Sequence, residues 1–334
     1  MNVRPEFKHQ HYAHCESGVV TSLLSHQGLS LSEPMVFGLA GGLAFAYLPF
    51  IKINGMPLMS YRMYPRSIIR GVQSRLGVKF QSKTYRDQAE AMAELDRFIA
   101  SGRPVGLQTS AYWLPYFPPE MRFQFNMHNL IVFGKENGEF LVSDPVADHV
   151  VRILPEDLKK ARFAKGTLAP NGYLYYPTVV PTSIDLKKTI PTSIRKTVNM
   201  MLHAPLIFGL QGIFFMANRI ENLQGRKDSR YIRLFLGHIV RMQEEIGTGG
   251  GGFRFMYAAF LQEAADILQL QALREASSRM TDAGDQWRQF ALACAKAIKN
   301  REGEVNLAQI AGLLRSCANA EKEVYLLLKK IDYL

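Results

Sequence analysis

Cys15, His128 and Asp144 occur in that order along the chain and are the residue types that together perform nucleophilic acyl chemistry. A thiolate attacks a carbonyl carbon, and an imidazole within hydrogen-bond reach takes the thiol proton and later gives it to the leaving group. A carboxylate on the other ring nitrogen fixes tautomer and orientation. General acid–base work of this kind is worth roughly 10²- to 10⁴-fold in rate. Taken singly, each residue has an ordinary reading: a small buried hydrophobe, a satisfied core histidine, and a turn aspartate before Pro145. Their joint placement points to chemistry.

The elements that must hold them are legible in the pattern. Cys15, Val19, Val20, Leu23 and Leu24 fall on one helical face, and Gly28 supplies a stop. Cys15 therefore opens a helix, where unpaired N–H groups and the positive end of the dipole favour the thiolate. In residues 127–150, Ile131 and Phe133, then Phe140 and Val142, alternate about Asn137-Gly138, which predicts a β-hairpin. His128 starts one strand and Asp144 finishes the other. A two-residue Asn-Gly turn would set Ala147 opposite His128 and send Asp144 to the other face. A three-residue loop that pairs Lys135 with Glu139 instead makes Asp144 a diagonal neighbour of His128 on the same face. The odd-length loop is expected.

The chain has 334 residues, 47% hydrophobic and 21% charged, which suits a large core and two domains. "YPTVVPTSIDLKKTIPTSIRK", residues 176–196, carries three prolines and reads as a linker. The expected domains are 1–180 and 181–334. Residues 261–300 and 306–331 are rich in Ala, Leu, Gln, Glu and Lys with apolar spacings of three and four, so the second domain reads as mostly α-helical. Three cysteines, Cys15, Cys294 and Cys317, are too few and too scattered for a disulfide framework or zinc ribbon and read as free thiols. Residues 1–10 lack the pattern of a secretory signal, so a cytoplasmic location is expected. Residues 35–51 and 198–217 are apolar but interrupted, the second by His203, Pro205 and Gln211, and read as buried segments rather than membrane spans. The net charge of +11 favours an acidic partner. No basic run exceeds a pair and the aromatics are not interleaved with Lys and Arg, so nucleic acid is not expected.

Other motifs divide between function and packing. "AYWLPYFPP", residues 111–119, holds four aromatics just ahead of His128; it either lines an acyl pocket, with Tyr112 a substrate-binding candidate, or packs against the sheet. Gly247, Gly249 and Gly252 satisfy G-x-G-x-x-G, but a helical segment precedes them and Phe253-Arg254 stands where a P-loop has Lys-Ser/Thr. Two readings stay open. The loop feeds a helix begun near Arg254, whose amides and guanidinium receive a phosphate or carboxylate such as pantetheine phosphate, or it is glycine because a neighbouring helix passes close. His9, His11, His14 and Cys15 lie too close together on an irregular segment to converge on a metal, and no metal site is expected.

The order Cys, His, Asp, with "CESGVVTSLL" on a first helix and "HNLIVFG…LVSDP" on a later hairpin, resembles papain-like cysteine enzymes, among them the bacteriocin-leader-processing peptidases. "HCESGVVTSLLSHQGLSLSEPMVFGLAGGLAFAYLPF", residues 14–50, resembles the N-terminal domain of the butirosin biosynthesis protein H family. "EEIGTGGGGFRFMYAAFLQEAA", residues 244–265, resembles the helical domain that follows it there. These resemblances imply an α+β papain-like domain followed by a helical one. They imply an acyltransferase that moves an acyl group from the phosphopantetheine thioester of an acyl carrier protein to an amine or hydroxyl acceptor in secondary-metabolite biosynthesis. Cys15 is then the nucleophile, His128 the general base and acid, and Asp144 its orienter. The partners implied are an acidic carrier protein and a small-molecule acceptor, with the pantetheine arm as substrate and no bound cofactor; a homo-oligomer is allowed. Related peptidases carry an oxyanion-donating glutamine six residues before the cysteine. That position is His9, next to Gln10, so His9, Gln10 or the Cys15 backbone N–H is the expected donor. The same three residues with water as acceptor make a cysteine hydrolase, thioesterase or peptidase. With no chemistry at all, the chain is a carrier-binding protein.

Overall fold

The computed structural model describes residues 3, 5–53, 55–225, 228–300 and 305–331. In chain order the elements are α1 (Cys15–His26), α2 (Glu33–Leu39), β1 (Leu43–Ile53), β2 (Met56–Arg62), α3 (Ser67–Leu76), β3 (Lys79–Lys83), α4 (Gln88–Ala100) and β4 (Val105–Thr109). There follow β5 (His128–Glu136), β6 (Glu139–Ser143), β7 (Val151–Ile153), α5 (Pro155–Arg162) and β8 (Leu174–Val179). The remainder is helical: α6 (Leu186–His203), α7 (Gly209–Glu221), α8 (Ser229–Val240), α9 (Arg254–Leu268), α10 (Gln271–Lys299) and α11 (Leu307–Lys329). The fold is α+β, a unit built on a six-stranded sheet followed by a mostly helical one.

Contacts divide the chain into two compact units, 1–36 with 68–184 and 37–67 with 185–334. The sequence reading differs in one segment, having placed 37–67 in the first domain. These residues group with the helices because the β1–β2 hairpin is apolar on the face that meets them. Phe45 and Tyr61 pack at 5.9 and 5.5 Å from the Trp287 ring of α10, and Tyr47 N–H donates to Ile207 C=O. The expected linker is also shorter than its composition suggests: β8 runs to Val179, Asp185 caps α6 through Lys188 N–H, and Pro191 lies inside that helix. The two apolar runs break in the same way, 35–51 between α2 and β1 and 198–217 between α6 and α7.

In the first unit, six antiparallel strands form a sheet in the order β3-β8-β4-β5-β6-β7. One face carries Val105, Leu107, Leu130, Val132, Phe140 and Val142 into a core with Ala91, Leu95 and Ile99 of α4 and Leu158 and Ala161 of α5. α1 packs against β5, β4 and β8, burying Val19, Val20, Leu23 and Leu24. It ends as its sequence predicts, with Gly28 at φ +90° and Leu29 N–H returning to Leu24 C=O.

The hairpin departs from expectation in its turn and keeps the predicted consequence. Glu136 pairs with Glu139, so Asn137 and Gly138, both at positive φ, form the two-residue turn rather than a three-residue loop. Between Val132 and Gly134 the register shifts by one residue, leaving Phe133 as a bulge. Beyond it Val132 pairs with Val142 and Ile131 with Ser143, the register an odd-length loop would have set. Asp144 therefore returns to the face that His128 occupies.

Candidate active site

His128 opens β5 opposite Thr109 of β4, and Asp144 follows the last residue of β6. His128 Nε2 lies 2.7 Å from Asp144 Oδ2, with the two residues 5% and 0% exposed. A carboxylate only accepts, so Nε2 carries the proton and Nδ1 is the nitrogen left for a reacting group. The carboxylate is saturated with donors: the Tyr116 hydroxyl also reaches Oδ2 at 2.7 Å, and Val146 N–H reaches Oδ1 at 3.1 Å. Burial alone would push the His128 ring down, but the Asp144 carboxylate, with the Cys15 sulfur adding to it, raises it to about 10. Burial and Asp144 together hold the Tyr116 hydroxyl well above its ordinary value, so it stays a donor.

Cys15 is the first residue of α1 and 6% exposed, with Sγ 3.9 Å from both Met127 C=O and Asn129 Nδ2. Its helix begins with an unusual cap, His14, whose side chain accepts from Ser17 N–H. The turn before it is braced by Glu33, which accepts from Ala13 N–H, His14 N–H and the Ser17 hydroxyl. Burial pushes the Glu33 carboxyl up, against those hydrogen bonds. Residues 10–13 and 30–34 line a cavity of about 560 Å³ beside this turn.

Gly18 lets α1 come this close. A Cβ there would sit 2.8 Å from Pro145 Cβ and 2.8 Å from Tyr12 Cβ. The residue after Asp144 thus presses directly on the first turn of the cysteine helix, and Tyr12 N–H bonds to Pro145 C=O. Gly18→Ala is expected to destabilise this unit by about 1–3 kcal/mol and to lower turnover. Denaturant melts of the two proteins check it; coincident midpoints would mean α1 has room to spare.

The other sequence candidates fall elsewhere. His9 has both ring nitrogens engaged: Nε2 donates to Ala147 C=O at 3.1 Å and Nδ1 accepts from the Ser143 hydroxyl at 2.8 Å. It braces the chain around Asp144 and has no N–H left to offer an oxyanion. Gln10 is exposed, its Oε1 taking the Tyr12 hydroxyl at 2.7 Å. The Cys15 N–H, at the first position of α1, has no acceptor within the helix. Tyr112 is 46% exposed and packs edge-on to Trp113; from the same segment it is Tyr116 that touches Asp144 and Phe117 that meets the His128 ring edge-on at 5.2 Å.

Arg254 is corrected outright as a substrate-binding candidate. It is 0% exposed, and its Nε and Nη2 donate to Glu321 at 2.9 and 3.2 Å while Nη1 donates to Gly252 C=O. The glycine loop is packed rather than open: Cβ atoms at Gly251 and Gly252 would meet Gly284 C=O of α10 at 3.1 Å and the Tyr61 ring at 2.4 Å. Cys294 and Cys317 are buried free thiols, both pushed up by burial, Cys294 to about 12. Among the described residues no group of three or more His, Cys, Asp or Glu is arranged to hold a metal ion.

Sequence reasoning missed Tyr116, Glu33 and Asn129. Alternation along β5 was the available signal for Asn129, which it sends to the side of α1.

Residues 14–145 match the family model described as butirosin biosynthesis protein H, N-terminal. Residues 156–328, more than half of the chain, match the domain of unknown function DUF4872. The chain belongs to the DUF4872 family, and its residues 14–145 are similar to the butirosin biosynthesis protein H N-terminal domain. Cys15, His128 and Asp144 all lie within that N-terminal domain, and Arg254 and Glu321 lie within the DUF4872 domain. A crystal structure described as a C39-like peptidase from Bacillus anthracis superposes at TM-score 0.37 and 16% identity, covering 54% of this chain and 100% of that one. No curated protein matches the chain significantly.

Proposed function

We propose that this protein is a cysteine-dependent acyltransferase that takes an acyl group from the thioester of an acyl carrier protein and delivers it to an amine or hydroxyl acceptor in secondary-metabolite biosynthesis. The observation that carries this reading is the butirosin biosynthesis protein H match over 14–145, within which His128 and Asp144 stand 2.7 Å apart beside the cysteine helix. The Cys15 sulfur attacks the thioester carbonyl and forms a C–S bond. The bond to the pantetheine sulfur then breaks, and protonated His128 gives its proton to that leaving thiolate. The acceptor next attacks the acyl-cysteine, His128 takes the acceptor's proton, and the Cys15 thiolate departs. Asp144 keeps the ring oriented through both halves. The cavity of about 560 Å³ lined by residues 10–13 and 30–34, beside the turn that leads into the cysteine helix, is of a size to receive a small-molecule acceptor.

The phosphopantetheine arm is a substrate in this reading rather than a bound cofactor. A carrier with an acidic surface suits the net charge of +11. The proposal places the enzyme in the cytoplasm; among the described residues no helix is long and apolar enough to cross a membrane.

Intact-mass spectrometry after mixing the protein with carrier proteins bearing a panel of acyl chains, beside Cys15→Ala, tests the reading. An acyl-sized gain on the wild type alone, discharged faster by added amines than by buffer, is the expected result. Discharge by water alone would replace transfer with hydrolysis. No gain from any chain, while Cys15 takes up a small alkylating reagent, would overturn the nucleophile.

A further inference from the structure

The hydrogen bonds around the cysteine include a side chain that the Cys, His, Asp scheme does not use. Asn129 is 5% exposed, and its Nδ2 donates to Met127 C=O at 3.0 Å and reaches Cys15 Sγ at 3.9 Å. Its Oδ1 accepts from the Tyr175 hydroxyl at 3.0 Å. The Met127 carbonyl settles which end of the carboxamide is nitrogen, because a carbonyl only accepts; Oδ1 is then the atom that takes the Tyr175 hydroxyl. Nδ2 has two hydrogens and two partners. One is spent on the Met127 carbonyl, the acceptor a neutral thiol would use, and the other points to sulfur.

Tyr175 is itself held firmly. It is fully buried in β8 and pairs with Gly106 of β4, where a Cβ would lie 2.6 Å from its ring. The glycine makes the space in which the ring lies, and the ring sets the amide. A sulfur at the start of a helix is thereby met from the sheet by a preorganised donor.

We propose that Asn129, oriented by Tyr175, is the donor that holds the Cys15 sulfur in its thiolate form, a role additional to those of His128 and Asp144. The proposal rests on Cys15 being the nucleophile. A hydrogen bond offered to an anionic sulfur favours the anion over the thiol and steadies the sulfur's position between attacks. It acts on the proton equilibrium of the nucleophile, so its removal shows most at low pH and fades where the thiol is ionised in any case.

The rate of Cys15 alkylation by iodoacetamide from pH 5 to 9, followed by intact mass on the full chain, reads this without a substrate. Cys15→Ala identifies the fast-reacting thiol. Asn129→Leu is expected to slow alkylation at pH 6 by about 3- to 10-fold, with the difference closing by pH 9. Tyr175→Phe, which keeps the ring and frees the amide, shifts the profile in the same direction by less, and decides the matter if Asn129→Leu fails to fold. A factor that is the same at every pH marks a merely structural residue and overturns the proposal, as does an unchanged profile. If wild-type Cys15 at pH 6 reacts no faster than the thiols of the unfolded chain, the nucleophile reading falls and takes this one with it. A fast wild type with unmoved variants removes Asn129 alone.

Discussion

Asp144→Asn is expected to cut turnover by about 10²- to 10⁴-fold. All three neighbours of this carboxylate are donors: His128 Nε2 and the Tyr116 hydroxyl on Oδ2, and Val146 N–H on Oδ1. An asparagine has one oxygen and one NH₂, so whichever way it turns, one side meets a donor with a donor. Either the imidazole loses its orienting acceptor or the loop at Val146 loses its bond. The charge is lost in both cases, which leaves burial opposed only by the Cys15 sulfur, so the ring holds its proton less tightly.

The same substitution changes how stability follows pH. In the wild type, His128 is raised from an ordinary value near 6.5 to about 10. A group bound more tightly to its proton in the folded state stabilises fully below about pH 6.5, and that contribution drains away as pH climbs toward 10. Thermal melts at pH 6 and 9.5 should fall further for the wild type than for Asp144→Asn. Parallel losses would mean that the pair is not an ion pair at neutral pH.

The second large effect lies in the helical unit. Glu321 accepts from Arg254 Nε and Nη2, from Trp287 Nε1 at 2.5 Å and from the Tyr325 hydroxyl at 2.7 Å, with no side-chain exposure at either end of the ion pair. The Arg254 guanidinium also lies 4.8 Å from the centre of the Trp287 ring. Glu321→Leu strands a buried cation and two further donors, and is expected to cost about 3–5 kcal/mol. Replacing both partners, Arg254→Met with Glu321→Leu, should recover most of it, because an apolar pair leaves no uncompensated charge. Denaturation followed by Trp287 fluorescence in a Trp113→Phe background isolates the signal, there being two tryptophans in all.

Local pattern carried a good deal of this architecture. The cysteine helix was legible from Val19, Val20, Leu23, Leu24 and Gly28, since each acts within a few residues of the others. The His128–Asp144 hairpin was legible from alternation. Its turn was misread because pattern requires only that the two residues share a face, and a three-residue loop or a bulge at Phe133 satisfies that equally. Arg254 was misread for a different reason. Its partner stands 67 positions away in another helix, and nothing around Arg254 announces a buried carboxylate. His9 failed as a donor likewise, through Ser143 and Ala147, which only the folded chain brings to it. The 37–67 hairpin is apolar and turn-rich wherever it packs, so composition could not assign it to a unit.

The bulge at Phe133 and the two-residue turn together set the register that brings Asp144 to the His128 face. The exposed Asn137-Gly138 turn lies outside the Glu136–Glu139 pair, and nothing lies within 4 Å of a Cβ at Gly138, so chain added at the tip can loop into solvent while that pair, and with it the register at His128, stays in place. The tip is therefore a permissive attachment point. A short reporter peptide, a fluorophore or a surface tether spliced between Asn137 and Gly138 should leave the His128–Asp144 contact unaltered, giving a handle on the sheet that carries it.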